Sequence, residues 1–369
     1  MRFVFRTPLV FFVASRLFYA TTCCWKRCKN RQLWPICRLD NESCRLVKAS
    51  LDQTNDTHDL DRMKQGLQLQ RTKSCSLFLH FIVPLFSPLT DIKTRFEPRQ
   101  PPMMASEKET TERAILYESP LWMAAVGWVM LTGRLAHWGD FELLLFSWAV
   151  SMPAVVFPAY MVRRDCPSTR KQPLHQQYWL KLNLWVFVVV CWGTYFGTHY
   201  FFNLMGMRYN FANTRLTFDS PVLGAGNKGQ AVPLFMYPLT HAYFMTYFAV
   251  MLKAERLVRD RILPRSVRDT IVGKGLALVA VSYSTAYLET FFMATEIMSE
   301  YFRYFNRARM LRLGSLGYAV YFMAGLPMVK RIDTNGERWD LGKTLVEAAA
   351  TCVAIQVLLE VWANVTGPL

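Results

Sequence analysis

Charged residues are scarce in this sequence of 369 residues. Asp, Glu, Lys and Arg make up only 19% of the chain, whereas soluble globular domains average about 25%. Hydrophobic residues make up 52% and aromatic residues 14%. This balance disfavours an ordinary soluble protein. The charge that is present is mostly basic, with a net value of +16. We assign it to membrane topology and to contact with anionic lipid, and we expect no nucleic-acid partner because no soluble domain offers a groove.

The sequence also lacks a credible cofactor motif. Gly224–Gly229 matches the G-x-G-x-x-G string of dinucleotide sites, but that string has meaning only inside a βαβ unit. Here it lies between two apolar segments, where a flexible connector is the better interpretation. Six of the nine cysteines occur in the first hundred residues. Cys24 and Cys28 have the spacing of half a zinc site, but Cys37 and Cys44 do not complete it. We therefore expect no nucleotide, metal or other cofactor.

Long apolar segments begin only after about Ser119. A helix needs about 20 mostly apolar residues to cross the hydrocarbon core of a bilayer. Seven segments meet or approach that length, and the first is weakened by Glu118 and Pro120. They are Ala114–Gly133, Phe141–Val162, Leu182–Met205, Val232–Leu252, Ile271–Ala294, Leu313–Val329 and Leu345–Val365. The pattern predicts an all-α polytopic transmembrane bundle of about seven spans.

Basic residues are distributed unevenly among the connections between these segments. The connections after the second, fourth and sixth segments hold more Lys and Arg than those on the other side. Connections rich in Lys and Arg remain in the cytosol. We therefore predict that the first span starts in the cytosol and that the C-terminus is lumenal.

Residues 1–104 differ from the rest of the chain. They contain no acidic residue before Asp40 but several arginines, which is typical of an organelle transit peptide. The alternatives are a disordered extension or a gene-model artefact, with a true start at Met103 or Met104. We therefore divide the chain into an extension, 1–104, and a membrane domain, 105–369.

Three ionisable side chains are predicted to lie at membrane depth. They are His199, His241 and Glu289. Because charge is costly in hydrocarbon, such groups usually face the interior of a bundle and mark a functional site. The alternative for each of them is a structural hydrogen bond between helices.

Aromatic residues crowd the third apolar segment. Belts at the membrane interface explain those near its ends, but Trp192 and Tyr195 lie too deep for that. We predict that they line a cavity, and we include Trp185 and Tyr287 among the substrate-binding candidates. Aromatic faces stabilise cations, so such a cavity suits a carbocation or a flat, rigid hydrocarbon.

Several residue strings stand out by their order and spacing. They are Tyr178–Trp185, Tyr195–Phe202, Leu239–His241, Ala286–Thr290, Ala308–Gly314, Tyr318–Phe322 and Trp339–Leu341. Together they resemble the cycloeucalenol cycloisomerase family of plants, and the resemblance extends from about Leu116 to Trp362. It departs at Asn213–Gln230, which is longer, and in the first hundred residues, which have no counterpart.

The resemblance implies a sterol-biosynthesis enzyme of the endoplasmic reticulum membrane, an isomerase with a sterol and membrane lipid as partners. Members open the 9β,19-cyclopropane ring of cycloeucalenol to give obtusifoliol. The reaction is redox-neutral and needs no cofactor.

The implied reaction needs an acid, a base and a dry pocket. Burial in apolar surroundings favours the neutral form of carboxyl groups and of imidazoles. By this argument Glu289 is the predicted acid, and His199 or His241 is the predicted base or proton relay. The resemblance itself supplies no catalytic residues.

Other functions remain open from the sequence. A sterol double-bond isomerase uses similar chemistry, and a sterol-binding or sterol-transport protein would bind the same ligand without converting it. Seven spans also suit a receptor or a light-driven pump. A retinal pump requires a lysine in its last span, and Thr344–Leu369 contains none.

Overall fold

The computed structural model describes residues 106–225, 229–334 and 336–368. The predicted extension 1–104, with its six cysteines, lies outside the described residues. The described part is almost entirely helical, which confirms the predicted all-α class.

Seven long helical stretches occur in the described part of the chain, and each overlaps one predicted span. Two of them contain π-helical segments, Gly193–Gly197 and Met310–Gly314. The stretches are Glu107–Leu131 (α1), Asp140–Asp165 (α2), Tyr178–Trp192 (α3) continuing into Thr198–Met205 (α4), Met236–Leu257 (α5), Ile271–Met293 (α6), Arg307–Arg309 continuing into Ser315–Arg331 (α7), and Leu341–Thr366 (α8).

Short helical turns occupy several of the connections. They are Arg134–His137, Pro167–Thr169, Leu174–Gln176, Pro221–Gly224, Val258–Ile262, Arg265–Arg268 and Glu296–Met298.

Within the described residues, five helices are long and apolar enough to cross a membrane by length and composition. They are α1, α2, the α3–α4 stretch, α6 and α8. This supports a multi-pass membrane protein. The sequence prediction of about seven spans also included the two segments that form α5 and α7. The helix α5 is the more polar of these two, and it packs against α1, α2, α3, α6 and α7 at the centre of the bundle.

The first helix begins earlier than its hydropathy predicted. Its start is at Glu107 rather than near Ala114, because the side chain of Ser106 caps it by accepting a hydrogen bond from the backbone N–H of Glu109 at 3.2 Å. Two glutamates in the first turn also suit the positive end of the helix dipole.

A two-stranded antiparallel ribbon connects two inter-helix loops. Met207–Tyr209 (β1) follows α4, and Phe302–Tyr304 (β2) follows α6, with Tyr209 opposite Phe302 and Met207 opposite Tyr304. Gly206 ends α4 in the left-handed conformation, with φ of 60°, which glycine adopts without strain. The ribbon therefore holds the end of the α3–α4 stretch close to the end of α6.

A buried ion pair joins α3 to the loop before α8. The ammonium group of Lys181 donates to Asp333 Oδ2 at 2.5 Å and to the carbonyl oxygen of Trp339 at 3.1 Å. Lys181 is fully buried, and the other carboxylate oxygen of Asp333 accepts from the backbone N–H of Trp339 at 2.8 Å. Removing one partner leaves the other charge uncompensated in a poorly hydrated site.

We predict that Lys181→Ala destabilises the protein by about 3–5 kcal/mol, the usual cost of breaking a buried ion pair. The measurement is thermal unfolding of the purified protein in lipid nanodiscs. The matched control is Arg164→Ala, which removes an exposed pair with Asp165 and should cost at most about 1 kcal/mol. Equal melting temperatures for the two variants would contradict the structural role of Lys181.

Candidate active site

Glu289 lies near the C-terminal end of α6 and is half-buried. Its Oε2 atom is buried and has no hydrogen-bond partner among the described residues. An unpartnered buried carboxyl oxygen is costly, and such groups concentrate at functional sites. The structure therefore marks Glu289 as the first element of a candidate site.

Six tyrosine hydroxyls lie within electrostatic range of the Glu289 carboxyl group. They come from four elements, namely β1, α5, β2 and α7. The six, which we call the tyrosine cage, are Tyr209, Tyr243, Tyr247, Tyr304, Tyr318 and Tyr321.

Local geometry explains why these tyrosines converge. Tyr243 and Tyr247 are four residues apart on α5, and Tyr318 and Tyr321 are three apart on α7, so each pair shares one helix face. Tyr321 can enter the space beside α3 because Gly197 has no side chain. A Cβ atom there would lie 1.7 Å from the Tyr321 hydroxyl oxygen.

The ribbon supplies the remaining two phenols. In its register Tyr209 and Tyr304 are diagonal neighbours on the same face. Burial raises the pKa of both phenols, so they remain neutral O–H donors. The Tyr209 hydroxyl interacts with Thr198, whereas that of Tyr304 has no hydrogen-bond partner within the described ranges.

Chemically, this site combines a carboxyl group with aromatic faces and neutral hydroxyls. Apolar burial favours the protonated form of a carboxyl group, which is the form that donates a proton. Aromatic faces stabilise a nearby cation. Within residues 106–225, 229–334 and 336–368, no group of three or more His, Cys, Asp or Glu side chains could hold a metal ion.

His241 is buried and points away from the tyrosine cage. Its Nε2 atom lies 3.0 Å from Asn183 Oδ1 on α3. Tyr243, two residues further along α5, approaches Glu289, and positions two apart on a helix lie about 200° apart. The described hydrogen bond of His241 therefore joins α5 to α3.

His199 is buried on α4 beside the loop that follows the ribbon. Its Nε2 atom lies 3.8 Å from Asp219 Oδ2, and its ring meets Phe202 edge-on at 5.8 Å. The adjacent Thr198 is the partner of Tyr209, one of the cage tyrosines. His199 is therefore next in sequence to a residue that contacts the cage.

The four aromatic candidates occupy different environments. Trp192 packs 6.3 Å from Tyr321 and so borders the cage, whereas Trp185 is fully buried edge-on against Phe248 at 5.2 Å. Tyr195 lies 4.9 Å from Phe218.

Tyr287 is on a different side of α6 from Glu289. It is 39% exposed, its ring lies 6.1 Å from that of Tyr283, and it stacks with Phe291 at 6.4 Å. Trp192 therefore contacts Tyr321 of the cage, whereas Tyr287 lies on the outer surface of the bundle.

Two features of this region were missed from the sequence. The tyrosine cage has a partial signal in the helical spacing of Tyr243 with Tyr247 and of Tyr318 with Tyr321. The second feature is Glu118, which the sequence reading treated only as a weakness of the first span.

Glu118 is a second buried carboxyl group. It is 5% exposed, and neither of its carboxylate oxygens has a hydrogen-bond partner among the residues described. Trp122, one turn further along α1, donates to Thr246 at 3.0 Å and lies 4.6 Å from Tyr243. Glu118 thus lies on the α1 side of the central helix, one turn from a tryptophan that contacts the cage tyrosine Tyr243.

Comparison with known proteins gives one informative relative. The chain is 29% identical over 266 residues to cycloeucalenol cycloisomerase of Arabidopsis thaliana, and the aligned part covers 71% of this chain and 88% of the relative. No protein-family model matches the chain, and no solved structure matches it. The predicted resemblance to the cycloeucalenol cycloisomerase family is thereby confirmed.

Proposed function

We propose that this protein is a cyclopropyl sterol isomerase of the endoplasmic reticulum membrane, which converts cycloeucalenol into obtusifoliol. The observation that carries the proposal is the buried Oε2 atom of Glu289, which has no hydrogen-bond partner among the described residues and lies within electrostatic range of the tyrosine cage. The similarity to a curated cycloisomerase supports the choice of substrate.

In the proposed reaction Glu289 donates its proton to C19, the bridging carbon of the cyclopropane ring. The C9–C19 bond breaks, and its electron pair forms the new C–H bond of the C19 methyl group. Positive charge develops at C9, where the aromatic faces of the cage stabilise it. Loss of the proton from C8 then leaves the 8,9 double bond, so atoms and electrons balance without a redox partner.

The cage has a second role in this mechanism. Apolar walls exclude water, which would otherwise capture the cation. In this proposal the Tyr304 hydroxyl, which has no hydrogen-bond partner among the described residues, donates to the Glu289 carboxylate that proton transfer creates. The base that accepts the C8 proton, predicted to be His199 or His241, remains a prediction.

The direct test is turnover in heavy water. Purified full-length protein in nanodiscs, supplied with cycloeucalenol in D2O, should yield obtusifoliol carrying one deuterium in its C19 methyl group. Mass spectrometry and NMR locate the label. A sterol carrier would return the substrate unchanged, and an enzyme that converts only an added Δ8 sterol would be a double-bond isomerase.

We predict that Glu289→Gln lowers kcat by about 10²–10⁴-fold, the usual contribution of a general acid, because an amide cannot supply the proton. The matched control is Glu118→Gln, an equally conservative change at the other buried carboxyl group, which should retain at least half of the activity. If Glu118→Gln lost activity and Glu289→Gln retained it, the proton donor would be Glu118. Expression and melting temperature of both variants check that they are folded.

We predict that Tyr304→Phe lowers kcat about tenfold, equivalent to about 1.4 kcal/mol of transition-state stabilisation, because the hydrogen bond to the new carboxylate is lost. Tyr283→Phe serves as the control, since Tyr283 stacks on the outer side of the same α6 helix. The measurement is the initial rate at saturating sterol. Equal rates for Tyr304→Phe and wild type would remove Tyr304 from the mechanism.

A further inference from the structure

A second site lies at the other end of the bundle. A cavity of about 510 Å³ opens between the C-terminal ends of α5 and α7 and the N-terminal end of α6. Its volume is in the range of about 300–1,000 Å³ that is usual for ligand pockets. The apolar part of its lining includes Ile271, Leu278, Leu326, Pro327 and Trp339.

Gly275 on α6 keeps part of this cavity open. A Cβ atom added at this position would meet no other atom within 4 Å. A larger side chain can therefore be placed there without a backbone clash, and it would occupy space that a ligand needs.

The polar part of the cavity contains a carboxylate with one unused oxygen. Glu255 is only 3% exposed, and its Oε1 atom accepts from the Lys330 ammonium group at 2.7 Å. Its Oε2 atom is buried without a hydrogen-bond partner in the part of the chain that the structure describes. Buried polar atoms are normally satisfied, so the missing partner is a hydrogen-bond donor that a ligand can supply.

The ion pair of Glu255 with Lys330 suits a single hydroxyl group. A hydroxyl donates to the carboxylate oxygen in a charge-assisted hydrogen bond and accepts from the ammonium group. Most of the wall surface is apolar and suits a rigid hydrocarbon body, although Lys274, Arg331, Thr334 and Glu337 also line the cavity. One hydroxyl at the end of a large hydrocarbon is the chemistry of a sterol.

We propose that this cavity is a loading site for a 3β-hydroxy sterol, whose hydroxyl group is held by Glu255 and Lys330. The identity of the sterol as the substrate rests on the proposed function. The site lies where the basic connections were predicted to be cytosolic, so that a sterol enters from the membrane surface with its hydroxyl group at the interface.

The loading site is separate from the Glu289 site. Gly275 and Glu289 lie almost four turns apart on α6, about 20 Å at 1.5 Å per residue. In a 9β,19-cyclopropyl sterol only one ring separates the hydroxyl-bearing carbon from the cyclopropane. A sterol held at Glu255 therefore cannot present its cyclopropane to Glu289, and it must move inward before it reacts.

The test compares Gly275→Phe with Gly127→Phe in the full-length protein in phosphatidylcholine nanodiscs. Gly127 is also a helical glycine with no atom within 4 Å of an added Cβ, but it lies on α1 and does not line the cavity. The probe is the fluorescent 3β-hydroxy sterol dehydroergosterol, detected by energy transfer from tryptophan. We expect Gly275→Phe to weaken binding at least tenfold and Gly127→Phe to change it less than twofold.

Turnover of cycloeucalenol separates the two roles. Gly275→Phe should raise KM at least fivefold while kcat falls less than twofold, because the reacting groups are remote. A fall in kcat with an unchanged KM, or no effect on binding, would overturn the loading site. If wild-type protein opens no cyclopropane but Gly275→Phe still abolishes sterol binding, the proposed function fails and the site stands.

Recognition of the hydroxyl group is tested separately. Wild-type protein should bind the 3β-methyl ether of the probe at least tenfold more weakly than the alcohol, and Glu255→Gln should reduce that preference to less than threefold. Equal binding of ether and alcohol by wild-type protein contradicts the role of Glu255. Displacement of the sterol by phosphatidylserine but not by phosphatidylcholine would identify an anionic phospholipid as the occupant, and it would overturn the proposal.

Discussion

A buried carboxyl oxygen of Glu289 without a hydrogen-bond partner among the described residues is the constraint on which the site depends. Burying Glu289 costs free energy, and only suitable neighbouring groups can offset that cost. Two helices contribute phenols to those surroundings, and the β1–β2 ribbon contributes two more. The ribbon is short, but without it the loops that follow α4 and α6 would not bring Tyr209 and Tyr304 to the same carboxyl group.

Close packing of large rings against glycine makes this arrangement possible. A Cβ atom at Gly197 would overlap the Tyr321 hydroxyl, one at Gly325 would crowd Phe248, and one at Gly317 would crowd Trp362. Small residues let membrane helices approach closely. At these three glycines the space is filled by aromatic rings from neighbouring helices.

Hydropathy was sufficient to place the helices, because the length of an apolar segment is a local property of the sequence. It was not sufficient to place the site. Tyr209 and Tyr304 lie in three-residue strands within loops, and their pairing is a contact between residues far apart in the chain. Hydropathy also could not distinguish His241 from Tyr243. Both lie on the central helix α5, but only Tyr243 approaches Glu289. The position of each residue on a helix was predictable, whereas the direction of its side chain required the neighbouring helices.

Glu255 and Glu289 show that the groups around a glutamate determine whether its carboxyl group accepts a hydrogen bond or donates a proton. Glu255 accepts a hydrogen bond from the ammonium group of Lys330, and a carboxylate can only accept hydrogen bonds. Glu289 has no cationic partner among the described residues and lies near neutral phenols. Surroundings of this kind favour the protonated form of a carboxyl group, and that form can donate a proton. An acceptor of this kind holds the hydroxyl group of a sterol but cannot protonate a cyclopropane, whereas a donor can. Loading and reaction therefore require different surroundings, and α6 extends from the loading site to the Glu289 site.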